Sequence, residues 1–183
     1  LAMSRIGFNI AETLKALPAT GNPVNIPDNS VPPPAAEPIS TGRPAGGTTS
    51  APKSDKKKIL FMKANPQDTV PLNLDAELRK VKNALESSTL RDKFELITEE
   101  AVQIHTITKA LMKHKPDIVH FSGHGEGDEG LAVEDAVGNV VMFPTAGLDR
   151  LFKMFKDSTQ CVVLNACYAS EQAKVISEHE IHV

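Results

Sequence analysis

Cysteine is scarce in this sequence: Cys161 and Cys167 are the two in 183 residues. Two thiols make no disulfide framework, so a stapled secreted scaffold is excluded and a reducing, cytoplasmic compartment is expected. No apolar run approaches the roughly 20 residues that a membrane-spanning helix needs, and no signal peptide is visible. No sign of charge dominates either. The 20 basic and 23 acidic residues are mixed along the chain and leave a net charge of −3. That balance argues against a surface built to coat nucleic acid or membrane. Tryptophan is absent, and proline is unevenly spread: nine of the 13 prolines fall between Pro18 and Pro52.

The first third is therefore different material from the rest. Residues 4–17 put Ile6, Ile10, Leu14 and Leu17 near one helical face. They read either as the last helix of an upstream module, over 1–17, or as a frayed amphipathic tail. Residues 18–55 hold Pro32-Pro33-Pro34, Gly46-Gly47 and few large apolar groups. Such a stretch cannot bury enough surface to offset its ordering entropy, so a disordered Pro-rich linker is expected. Its ends would lie roughly 35 Å apart if it behaves as a flexible coil. A proline-rich ligand for a partner is the competing reading, without a strong signature behind it. The chain opens on Leu1 and stops at Val183 straight after a helical pattern, so both ends look cut.

From Lys56 the pattern changes, and the remaining length suffices for one modest core. Ile59-Leu60-Phe61-Met62 reads as a buried strand. Leu74, Leu78, Val81 and Leu85 repeat at helical spacing. Phe94 to Ile97 is a second strand, and Ile104, Ile107, Ala110 and Leu111 mark a second helix ended by Lys115-Pro116. Asp117 to Phe121 is a third strand. Leu131-Ala132-Val133 and Val140-Val141-Met142 flank a turn near Gly138-Asn139, which fits a hairpin. Leu148, Leu151, Phe152 and Phe155 mark a third helix, Cys161 to Leu164 a fourth strand, Ser170 to Glu178 a fourth helix, and Ile181-His182-Val183 a strand just beginning. Strands alternating with helices imply right-handed crossovers and a mainly parallel sheet covered on both faces. In such sheets, sites form beyond the carboxyl ends of the strands.

The third strand runs into Ser122-Gly123-His124-Gly125-Glu126-Gly127, and the fourth into Asn165-Ala166-Cys167-Tyr168. If these strands are neighbours, His124 and Cys167 project over one rim. The thiolate is the nucleophilic form of cysteine, and an ordinary thiol with pKa near 8.5 is mostly protonated at neutral pH. A nearby imidazole takes that proton and later protonates a leaving amine. A helix starting near Ser170 would aim its positive end at Cys167. A backbone amide beside His124, together with that of Cys167, could bind an oxyanion. Taken singly, each residue has a plain reading: a cysteine after a strand is commonly a small packed side chain, and a histidine a satisfied polar group. Cys161 begins its strand and reads as packing. His120 lies within a strand and reads as support for the site.

Two rival chemistries are weaker. A phosphate cradle wants helix amides and a basic residue, whereas this loop carries Glu126, Asp128 and Glu129 and leads into a hairpin. A metal held by His124, Glu126, Asp128 and Cys167 would lack recognisable ligand spacing.

The stretches Ile59-Leu60-Phe61 to Ala64-Asn65-Pro66, Leu74-Asp75-Ala76-Glu77, Pro116 to Gly125 and Val162 to Tyr168 together resemble a CHAT domain. That is the caspase-like protease domain found largely in bacteria, often fused to repeats or defence-associated modules. The resemblance covers 56–183 and implies an α/β, caspase-like three-layer sandwich with a mainly parallel sheet, incomplete at its C-terminus. It implies a cysteine endopeptidase in which His124 matches the general base and acid, Cys167 the nucleophile, and the amides of Gly125 and Cys167 the oxyanion hole. Ser122, Gly123 and Asn165 would support the site. No metal or organic cofactor is implied. The partners would be a protein or peptide substrate, often encoded nearby in anti-phage defence or regulated cell death, and an upstream sensing or recruiting module. Arginine- and lysine-cleaving relatives carry an acid two residues before the cysteine, where this sequence has the neutral Asn165. The alternative from another class is a non-catalytic caspase-like scaffold that binds partners through its surface.

Overall fold

The computed structural model describes residues 55–183, so the expected N-terminal helix and nearly all of the expected linker lie outside the described residues. Strand β1 (Lys57–Lys63) is followed by helix α1 (Leu74–Glu86), β2 (Phe94–Glu99), α2 (Ile104–His114) and β3 (Ile118–Ser122). Then come β4 (Leu131–Glu134), β5 (Val140–Phe143), α3 (Thr145–Phe155), β6 (Cys161–Asn165) and α4 (Ser170–Ser177). Each strand and helix expected from Lys56 onward is present, with ends displaced by a few residues, except that the strand expected at 181–183 is reduced to a single bridge.

Local signals set several of these ends. The Asn73 side chain accepts from the Ala76 amide at 3.2 Å and caps α1, while Asp75 and Glu77 in its first turn complement the helix dipole. Lys115 ends α2 in the left-handed conformation, at φ 46°, immediately before Pro116, which cannot continue the helix. The β4–β5 turn is held by Asp135, whose carboxylate accepts from the amides of Val137 and Asn139, both at 2.9 Å.

The main sheet runs β2-β1-β3-β6, parallel throughout, and β4 and β5 pair antiparallel in a separate hairpin. His182 adds a parallel bridge to Cys161 at the β6 edge, through Val162 N to His182 O at 2.7 Å. The chain steps from β1 to β2 in one direction and returns past β1 to β3 and β6. Right-handed crossovers therefore put α1 on one face and α2, α3 and α4 on the other. Side-chain alternation agrees. Leu60, Met62, Val119, Phe121 and Val162 join one buried cluster with Ile107, Leu111, Leu148, Phe152 and Ile176. Ile59, Phe61, Ile118 and His120 alternate with them and turn to the α1 side, where Leu74, Leu78, Val81 and Leu85 are buried. This is a three-layer α/β sandwich. Its direction reverses between β1 and β3, so the crevice for a site opens beyond their carboxyl ends.

Candidate active site

Register fixes the geometry of that rim. Ser122 and Asn165 are the last partners in the β3·β6 ladder. His124 and Cys167 each lie two residues further along their chains. Past the ladder the two loops stay together. Gly123 N donates to Asn165 O at 3.2 Å. A Cβ on Gly125 would fall well inside contact distance of the Cys167 carbonyl oxygen, so only glycine allows the two backbones this close. Gly123 is likewise pressed on the end of β1, where a Cβ would sit 2.9 Å from Ala64 O.

The loop after His124 folds back on β4. Ala132 N donates to His124 O at 3.0 Å and Glu126 N to Gly130 O at 3.1 Å. These bonds flank the Gly125–Leu131 bridge and leave Gly125's own amide out of it. From α4, buried Gln172 donates through Nε2 to Gly127 O and to Thr145 Oγ1, both at 2.6 Å. The loop after β3 is thus fastened to the helix that follows Cys167.

His124 Nε2 lies 2.8 Å from the carbonyl oxygen of Val70. A carbonyl only accepts, so Nε2 carries a proton, and in the neutral ring Nδ1 is the basic nitrogen. Val70 belongs to the loop after β1, across the point where the sheet changes direction. Nothing in its residue type announces this role, because the contact uses backbone alone. The one sequence signal is Pro71, which confines the preceding residue to extended conformations.

Cys167 is exposed. Tyr168 after it adopts φ +54°, a left-handed conformation uncommon for a large side chain, and α4 begins at Ser170. This tight strand-to-helix turn presents Cys167 at the rim. Cys161 is buried, and burial pushes its thiol up, away from the reactive form. Its reading as a packed residue fits this environment.

Beneath the rim sits a carboxylate that pattern reading did not single out. Glu77, on the first turns of α1, accepts from His120 Nε2 at 2.8 Å and from Asn165 Nδ2 at 2.6 Å. It also accepts from the Ser122 hydroxyl. His120 stacks on Phe61 with ring centroids 4.4 Å apart. Burial alone would raise the Glu77 carboxyl. The hydrogen bonds from His120, Ser122 and Asn165, with the His120 charge, outweigh it and hold the group below the ordinary carboxylate range. Ser122, expected near the site, is fully buried, and its hydroxyl donates to Glu77. Further along the same face, Lys63 pairs with Asp75 at 2.6 Å and Glu100 at 2.8 Å, joining the end of β1 to α1 and the end of β2. Among the described residues, no group of three His, Cys, Asp or Glu side chains is arranged to hold a metal ion. No helix among them is long and apolar enough to cross a membrane.

The sheet order, the flanking helices and the rim define a caspase-like α/β domain. The model of the CHAT domain family matches residues 33–182, and the chain belongs to that family. A protein of Gillisia limnaea described as a probable protease is 26% identical over 125 residues, covering 67% of this chain. The chain spans 22% of the length of that relative.

Proposed function

We propose that the protein is a cysteine endopeptidase in which Cys167 is the nucleophile and His124 the general base and acid. One observation carries the reading: both residues lie two positions beyond Ser122 and Asn165, register partners on adjacent parallel strands, with Gly125 against the Cys167 carbonyl. Membership in a caspase-like family and a relative described as a probable protease support it.

In this mechanism His124 Nδ1 accepts the Cys167 thiol proton and Sγ attacks the scissile carbonyl carbon. The carbonyl electron pair moves onto oxygen, to which the amides of Gly125 and Cys167 would donate. Collapse breaks the C–N bond, and the imidazolium returns its proton to the leaving amine. Water, deprotonated by His124, then hydrolyses the thioester and regenerates the thiol. The Val70 carbonyl keeps the imidazole in the tautomer that this cycle needs. The substrate is a protein or peptide. The setting we favour is bacterial cytoplasmic defence or regulated cell death, with a sensing or recruiting module upstream.

The test is labelling with a thiol-reactive peptide probe, read by mass spectrometry. Cys167 is expected to be modified, and His124→Ala to suppress the modification by about a hundredfold or more, the range of a positioned general base. Preferential labelling of Cys161, or labelling of Cys167 indifferent to His124, would sink the assignment.

A further inference from the structure

We propose that Glu77 is the positioning residue of this dyad, and the proposal rests on the reading of His124 and Cys167 just given. One carboxylate gathers donors from two adjacent strand ends. His120 and Ser122 reach it from β3, and Asn165 reaches it from β6. Two residues beyond Ser122 stands His124, and two beyond Asn165 stands Cys167. Glu77 itself sits one turn into α1, directly after the loop whose Val70 carbonyl holds the His124 imidazole. The three segments that must keep register for proton transfer are therefore joined through a single side chain.

The location points to the site rather than to general stability. The rest of the α1 face is apolar, with Leu74, Leu78, Val81 and Leu85 over the sheet. A charged group under a sheet is costly, and an apolar residue of the same volume commonly serves stability as well or better. This half-buried carboxylate stands at the carboxyl rim, where the candidate dyad is. Both of its oxygens are occupied by the protein, so Glu77 acts through its neighbours and does not itself meet a substrate.

The test reads alkylation of Cys167 by iodoacetamide at neutral pH, followed by mass spectrometry, well below the melting temperature of every variant. In the parent the rate should depend on His124. Glu77→Ala should lower it about tenfold or more, within the range a positioned base contributes. Adding Glu77→Ala to His124→Ala should lower it no further. Glu77→Gln should retain most of the rate. Its oxygen still accepts from Ser122 and Asn165, and its amide donates to His120 Nε2 when that neutral ring carries its proton on Nδ1. A purely stabilising role would shift melting without separating Ala from Gln in the rate. A folded Glu77→Ala protein that alkylates at the parental rate with His124 dependence intact overturns the proposal. If Glu77→Ala does not fold, Asn165→Ala at an exposed position removes the β6 tether alone, and a parental rate there overturns it equally. A parental rate independent of His124 removes the dyad itself, and that result is visible before any Glu77 variant is made.

Discussion

His124 and Val70 are 54 positions apart in the chain and meet through a 2.8 Å hydrogen bond between imidazole Nε2 and a main-chain carbonyl. The contact fixes which ring nitrogen is basic, and its accuracy depends on a loop, not on a side chain. Val70 itself is 76% exposed, so Val70→Ala should change stability by about 0.5 kcal/mol or less. Pro71→Gly frees the backbone before it. We expect Cys167 alkylation to slow several-fold while the unfolding free energy moves by about 1 kcal/mol or less. An unchanged rate would show that the loop is held without Pro71.

Gly125→Ala introduces a methyl group against the Cys167 carbonyl, which is backbone and cannot swing aside. Relieving the overlap must part the two loops. The expected cost is about 1–3 kcal/mol in urea unfolding. Loss of His124-dependent labelling should accompany it, and full labelling would contradict the close approach.

Acid stability should carry the signature of Glu77. Its folded carboxyl is held below the ordinary range, so the folded state releases this proton more readily than the unfolded chain. The stabilisation is complete above the unfolded carboxyl value of roughly 4.3 and is lost as pH falls through the folded value. Urea midpoints of the parent and Glu77→Gln should differ most near neutrality and converge in acid. Parallel curves would mean that the carboxylate adds nothing as a charge.

Phe61 is fully buried and stacks on His120, so Phe61→Ala removes both core volume and a wall of the polar cluster. A loss of about 3–5 kcal/mol is expected, with an unchanged denaturant slope. A cost below about 1 kcal/mol would mean that the site collapses to fill the cavity.

Lys63 gives the opposite pH sign. Burial pulls its ammonium down, but the bonds and charges of Asp75 and Glu100 more than offset this, so its folded value is raised. Its contribution is complete below the ordinary lysine value near ~10.4 and is lost as pH rises through the folded value. Lys63→Met should flatten the alkaline limb of stability, and an alkaline limb like the parent's would exclude the triad as its source.

By itself, the sequence determined the elements and their order. Alternation and helical spacing are local, and the burial they encode survives into the fold: Leu74, Leu78, Val81 and Leu85 are all buried, as their spacing requires. It also placed His124 and Cys167 at strand ends, because glycine and asparagine after apolar runs are visible in one dimension. What the tertiary structure decided is which strand ends adjoin and what lies between them. Glu77 reads in sequence as one charge on an exposed helix face, and Val70 as a loop residue. Their partners lie 43 to 88 residues away for Glu77 and 54 for Val70. No local periodicity encodes a hydrogen bond across such separations, since strand order and register bring the donors to one carboxylate and the imidazole to one carbonyl.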